Sequence, residues 1–350
     1  MKVLSLFGGI ECGLVALKNL GIYPTEYYSS EIDPYAIKIT TANHPEVVHI
    51  GDIKNIKYRF GKLQWLDSSG DETGKETTID LMIGGSPCQD LSIANAGGKG
   101  LNGEKSGLFF EYIRLLTEVK PRYFLLENVA SMKQADRDEI TRIIGVEPIM
   151  INSSLVSAQN RKRLYWTNIP WVVQPQDKGI KLKDILEDIP TDDERWKPLD
   201  EKYLVNKSKR IAWFIYREDK IFAHQSDKKR STVSEHVYST PNSKSESLMV
   251  AHIPKVIVIG KDKIYIYRKL TPKECERLQT LPDDYTIGVS DSRRYKAIGN
   301  GWTVATIQHI FSFIPWSKPS ESPIELTQES TGSSLSSPKS GSQGTGHEEE

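Results

Sequence analysis

The chain has 350 residues, 26% of them charged, and its 46 basic and 46 acidic side chains cancel. That balance excludes nucleic-acid binding by overall basicity, so such a partner must meet a local basic face. Cys12, Cys88 and Cys275 make an odd number without metal-ligand spacing, which argues against a disulfide framework or zinc site and for a reducing, cytoplasmic setting. The apolar run at 2–7 is too short for a signal peptide and no other run is long enough for a bilayer, so no membrane segment is expected.

Residues 2–7 predict a first strand, Gly8-Gly9-Ile10-Glu11-Cys12-Gly13 a glycine turn, and 14–20 a helix closed by Gly21. Such a turn presents backbone N–H groups and the positive end of a helix to a ligand, although it also serves as a plain tight connection. A second strand over 26–31 ends in Glu31, about 20 residues past the glycines, where a carboxylate can grip two ribose hydroxyls or simply be solvated. Asp33 and Pro34 then open a helix as N-cap and first residue. A third strand over 47–50 runs into Gly51-Asp52-Ile53, so Phe7, Glu31 and Asp52 converge on one edge as a pocket for an adenosine-like group.

The polar stretch 58–78 reads as a surface excursion before a fourth, apolar strand at 79–83. Gly84-Gly85-Ser86-Pro87-Cys88-Gln89-Asp90-Leu91-Ser92 follows it, placing a cysteine at a strand end, where open α/β sheets do chemistry. Pro87 restricts the backbone before Cys88 and the glycines admit a large ligand, but on these residues alone an inert packing cysteine is the alternative. The glycine-rich 94–103 suits a lid. A helix over 108–119 precedes a fifth strand at 122–126, which delivers Glu127-Asn128-Val129 to the Cys88 edge.

Strands predicted at 150–156 and 164–167 flank Gln159-Asn160-Arg161-Lys162-Arg163, where alternation puts Gln159, Arg161 and Arg163 on one face, solvated or directed at an anion. From 171 to 263 the regularity lapses, and basic clusters at 207–210 and 228–230 interleave with Tyr203, Trp213, Tyr216 and Phe222, a mixture suited to phosphates and bases. Thr271, Pro272 and Glu274 then form a capping box, with Cys275, Leu278 and Leu281 on the core side of the helix. Residues 295–304 read as a turn leading into a helix that ends near 316, and the polar tail 317–350 is expected to be disordered.

Taken together and in this order, Leu6-Phe7-Gly8-Gly9-Ile10, Gly84 through Gln89, Glu127-Asn128-Val129, Gln159 through Arg163, Arg268 through Gln279 and Gly299-Asn300 resemble the DNA cytosine-5 methyltransferases. Ser5, Gly51-Asp52, Asp90-Leu91-Ser92 and Trp302 resemble the animal de novo enzymes, whereas the arginine run is bacterial or phage in style. Ser5 stands where the bacterial pattern has an acid, and Glu11-Cys12 where it has two glycines.

The resemblance implies an α/β, Rossmann-like S-adenosylmethionine-dependent methyltransferase sheet with a smaller, irregular target-recognition domain. Its expected divisions are 1–170 catalytic and cofactor-binding, 171–265 target recognition, 266–316 catalytic again and 317–350 tail. It implies Cys88 as nucleophile, Glu127 at the cytosine N3, and Arg161 and Arg163 steadying the charged edge. Phe7, Gly9, Ile10, Glu31, Asp52, Ile53, Pro87, Asn300 and Trp302 are implied to bind S-adenosyl-L-methionine, with no metal. Double-stranded DNA is the implied partner of a monomer, with a cognate restriction endonuclease as a further one. A tRNA cytosine methyltransferase of the same fold would carry a Cys-Phe-Thr signature in the middle domain, which is absent here. A non-catalytic DNA-binding relative would be expected to have lost Cys88, Glu127 or cofactor residues, and all are retained.

Overall fold

The computed structural model describes residues 1–86, 107–198, 220–222, 237–239, 241–245, 247–248, 253–259 and 265–316. Strands β1 (Lys2–Leu6), β2 (Glu26–Ser30) and β3 (Val48–His49) alternate with helices α1 (Cys12–Asn19) and α2 (Pro34–Asn43). A meander of β4 (Lys57–Arg59), β5 (Lys62–Leu66) and β6 (Glu72–Glu76) leads to β7 (Leu81–Gly84). There follow α3 (Gly107–Val119), β8 (Tyr123–Val129), α4 (Gln134–Ile144), β9 (Ile149–Asn152) and β10 (Lys162–Thr167). Seven strands form one sheet in the order β3-β2-β1-β7-β8-β10-β9, parallel from β3 through β8 and antiparallel at β10 and β9.

Successive strand residues point to opposite faces, and here both faces are covered, so the central strands are apolar throughout. Val3, Ile83, Leu125 and Tyr165 face the side packed by α1. Leu4, Met82, Leu126 and Trp166 face the side packed by α3 and α4. Beyond β10 the chain builds a five-stranded sheet, β11-β15-β14-β13-β12, from β11 (Lys197–Pro198), β12 (Lys220–Phe222), β13 (Val237–Ser239), β14 (Lys255–Ile259) and β15 (Tyr265–Lys269). It returns to the main sheet through α5 (Pro272–Leu278), α6 (Asp291–Asn300) and α7 (Val304–Phe311), the last packing beside α1. The mixed α/β architecture with a smaller second region is the one the resemblance implies.

Two local expectations give way, and one helix was not foreseen. The stretch 58–78 is no loose excursion: β4, β5 and β6 pair antiparallel, Leu63 is fully buried, and the Trp65 ring lies 5.9 Å from that of Tyr28. Leu63 and Trp65 of β5 with Tyr58 of β4 suffice to seat it, which polar composition conceals. Residues 295–300 belong to α6 and are not a turn; the break falls at Gly301-Trp302-Thr303. Helix α4 was not foreseen, because only Ile140 along it is fully buried. The capping box is present as expected, with Thr271 Oγ1 accepting from Glu274 N and Thr271 N donating to Glu274 Oε2. Residues 94–103, the clusters at 207–210 and 228–230, and the tail lie outside the described residues.

The hinge between the second sheet and α5 is a buried ion pair. Arg268 donates from both Nη atoms to the Glu274 carboxylate, each at 2.6 Å, and its guanidinium stacks 5.0 Å from the Trp196 ring. Removing one partner strands a buried charge. Glu274→Ala should therefore cost about 3–5 kcal/mol in urea unfolding, and the paired replacement Arg268→Met with Glu274→Leu recovers only the part due to the stranded Arg268 charge, because Thr271 N and Glu187 N also lose their acceptor.

Candidate functional site: a cavity at the β1–β7 switch

From β1 the sheet extends through β2 to β3 on one side, and from β7 through β8 on the other. The carboxyl ends of β1 and β7 therefore border a crevice, the usual ligand position in such sheets. Phe7-Gly8-Gly9-Ile10 leave β1 and Gly85-Ser86 leave β7 at this point. The β1 turn is tight, with φ of 58° at Phe7, 57° at Gly9 and 56° at Glu11. Gly8 is required, since a Cβ there would lie 1.9 Å from Glu11 Oε1.

The crevice opens into a cavity of about 380 Å³, within the roughly 300–1,000 Å³ of small-molecule sites. Phe7, Gly9, Ile10, Glu31, Asp52, Ile53, Glu127, Arg161, Arg163, Asn300 and Trp302 all line it. Pro87 and Cys88, which follow Ser86 at its edge, lie outside the described residues. Glu31 is fixed by backbone donors: Gly9 N to Oε2 at 2.8 Å, Ile32 N and Asp33 N to Oε1 at 2.7 and 2.8 Å. Each carboxylate oxygen accepts more than one hydrogen bond, so Oε2 keeps capacity for a ligand hydroxyl. Asp52 caps the short 3-10 turn Ile53–Asn55 through Lys54 N, at 3.0 Å. Glu31 and Asp52 give this flank an acidic lining, Asp33 being paired with Lys296 at 2.6 Å.

On the opposite flank Glu127, 8% exposed, pairs with Arg163 Nε at 2.8 Å and accepts from the Trp302 indole at 3.0 Å. Its neighbour Asn128 donates to Ser86 Oγ at 3.1 Å, tying β8 to the start of the Cys88 segment. Arg161 and Arg163 take different tasks. Arg161 is buried and donates to the carbonyls of Leu248, Gly299 and Gly301, at 2.9, 3.2 and 3.0 Å. Gln159, on the same run, is also buried and donates to Leu278 O at 3.2 Å.

Sequence reasoning noted Glu11 as a departure and gave it no role. The structure places its carboxylate beneath the β1 turn, accepting from Ser29 at 2.5 Å, Tyr27 at 2.6 Å and Ser5 at 2.9 Å. Ser5, on the strand, is thereby a donor to the acid of the turn, and the joint departure at positions 5 and 11 was the available signal. Burial raises the Glu11 pKa from 4.5 despite these donors. The folded state then holds a proton that the unfolded chain releases, so stability falls as pH rises above that value. Glu11→Gln removes this term: its melting temperature should fall less than wild type between about pH 5 and pH 8, and parallel curves would refute the assignment.

Fold and crevice together define an α/β domain with a ligand cleft at the β1–β7 switch. The chain aligns with the Entamoeba histolytica methyltransferase EhMeth at a TM-score of 0.61 and 14% identity, covering 89% of this chain and 97% of that one. The family model for the C-5 cytosine-specific DNA methylases matches residues 1–316, and the chain belongs to that family, the DNA (cytosine-5-)-methyltransferases. It is 29% identical to the type II methyltransferase M1.ScrFI of Lactococcus lactis subsp. cremoris, over 88% of this chain and 76% of that protein. It is 24% identical to the orphan methyltransferase M.SPRI of Bacillus phage SPR, over 89% of this chain and 96% of that one. Among the described residues no helix is long and apolar enough to cross a membrane.

Proposed function

We propose that this protein methylates carbon-5 of a cytosine flipped out of double-stranded DNA, through a covalent bond between Cys88 and carbon-6. The observation that carries the reading is convergence: every implied site residue among the described ones, drawn from separate stretches of the chain, lines a single cavity. Glu31, Asp52 and the glycine turn fit S-adenosyl-L-methionine, with Glu31 toward the ribose, Asp52 toward the adenine amine and Phe7 against the ring. Bound there, that group supplies a methyl on a positively charged sulfur, which carbon-5 takes up.

The protein's own part begins at the thiol. Cys12 and Cys275 are 3% and 0% exposed, and burial raises both thiols, Cys12 to about 12, which leaves Cys88 as the thiol available to react. As thiolate, Cys88 adds its electron pair to carbon-6, and the ring's π pair moves toward carbon-5 while charge builds at N3 and O2. Glu127 meets N3, held by Arg163. After methylation a base removes the carbon-5 proton, the C5–C6 double bond reforms, and the carbon–sulfur bond breaks with its pair returning to Cys88. Reaching a stacked base requires flipping it out at a cost of a few kcal/mol, offset by pocket and phosphate contacts. The target-recognition role falls to 171–265. The type II name of M1.ScrFI supports a restriction-modification setting with a cognate endonuclease, and the orphan name of M.SPRI a solitary one.

Expression in a methylation-free bacterial host followed by bisulfite sequencing tests the reading. Wild type should protect cytosines in one short sequence context and Cys88→Ala none; equal conversion with soluble protein would overturn it. A duplex with 5-fluorocytosine at that site should become covalently attached to Cys88. In the absence of DNA, iodoacetamide at about pH 7.5 should alkylate Cys88 and spare Cys12 and Cys275 in the folded protein, as read by peptide mass spectrometry.

A further inference from the structure

We propose that Trp302, which the family resemblance puts among the cofactor contacts, is a positioning residue for Glu127. The inference rests on the assignment of Glu127 to the cytosine N3. Arg163 holds Glu127 Oε1 at 2.8 Å, but one ion pair leaves the carboxylate free to turn about the bond that joins it to its side chain. The Trp302 indole Nε1 donates to the other oxygen, Oε2, at 3.0 Å and fixes the plane. An indole only donates and carries no charge, so it orients the carboxylate without adding a second cation to the site.

Two further observations show that the contact is built in. A Cβ at Gly85 would lie 2.9 Å from Trp302 Nε1 and 3.0 Å from Glu127 Oε2, so the pair occupies room that only glycine leaves beside the start of the Cys88 segment. The loop carrying the indole is clamped from behind: the Gly301 carbonyl accepts from Arg161 at 3.0 Å and from Gln279 at 3.1 Å. Thr303 Oγ1 donates to Gln279 Oε1 at 2.8 Å. Arg161 therefore reaches the reaction centre through Trp302, whereas Arg163 touches Glu127 itself.

Trp302→Phe keeps an aromatic ring and removes the N–H. The single-turnover methylation rate should fall about tenfold to a hundredfold, the range for a hydrogen bond to a charged group, while S-adenosylmethionine affinity stays within about twofold. In a Glu127→Gln background the same change should add no further loss, because the two act through one contact. Gly85→Ala, which leaves both side chains in place but crowds their contact, should slow methylation in the same way. A wild-type rate for Trp302→Phe, a loss confined to cofactor affinity, or losses that multiply in the double variant would each overturn the inference. Full activity of Glu127→Gln alone would instead bring down the assignment of Glu127 on which it rests.

Discussion

Everything at the site depends on a topological constraint: β1 and β7 are parallel neighbours whose onward connections run to opposite sides of the sheet. Among the described residues no crossover helix covers the gap between their ends, so backbone N–H groups, strand-end acids and the start of the Cys88 segment face one space. Hydrogen bonding then makes the space rigid. Glu31 clasps the β1 turn through Gly9, and Asn128 clasps Ser86, so each border of the crevice is fastened from the adjacent strand.

Much of this was legible in the chain. Glycine turns, strand-end acids and the Thr271 capping box each have a local cause, and local causes survive into the structure. Glu31 and Asp52 were placed by counting along strands, and both line the cavity. What escaped was whatever depends on a partner far away in sequence. Helix α4 and the β4–β6 meander each bury a single side chain completely, Ile140 and Leu63, too few for a periodic signal. The 295–300 segment carries a glycine and an asparagine that suggest a turn, yet α6 runs through to Asn300. The separate tasks of Arg161 and Arg163 were equally invisible, since alternation assigned both to one face. Only the positions of Leu248 and Gly301 reveal that one arginine holds carbonyls and the other a carboxylate.

Glu11 shows how a motif can change its letters and keep its physics. A carboxylate beneath the glycine turn is bonded by hydroxyls from β1 and β2, and Gly8 leaves it room. Ser5 on the strand donates to an acid that the chain supplies six residues later, from the turn.

The Arg161 guanidinium has one more consequence, for anyone who wishes to exchange the middle stretch of this chain. It is anchored at once to Leu248, in the middle stretch, and to Gly299 and Gly301, in the closing segment. A transplant cut upstream of Leu248 and joined without regard to that carbonyl would leave a buried cation short of an acceptor. A replaced middle stretch should therefore carry its own acceptor at this seam, or the chimera inherits an electrostatic fault from its junction.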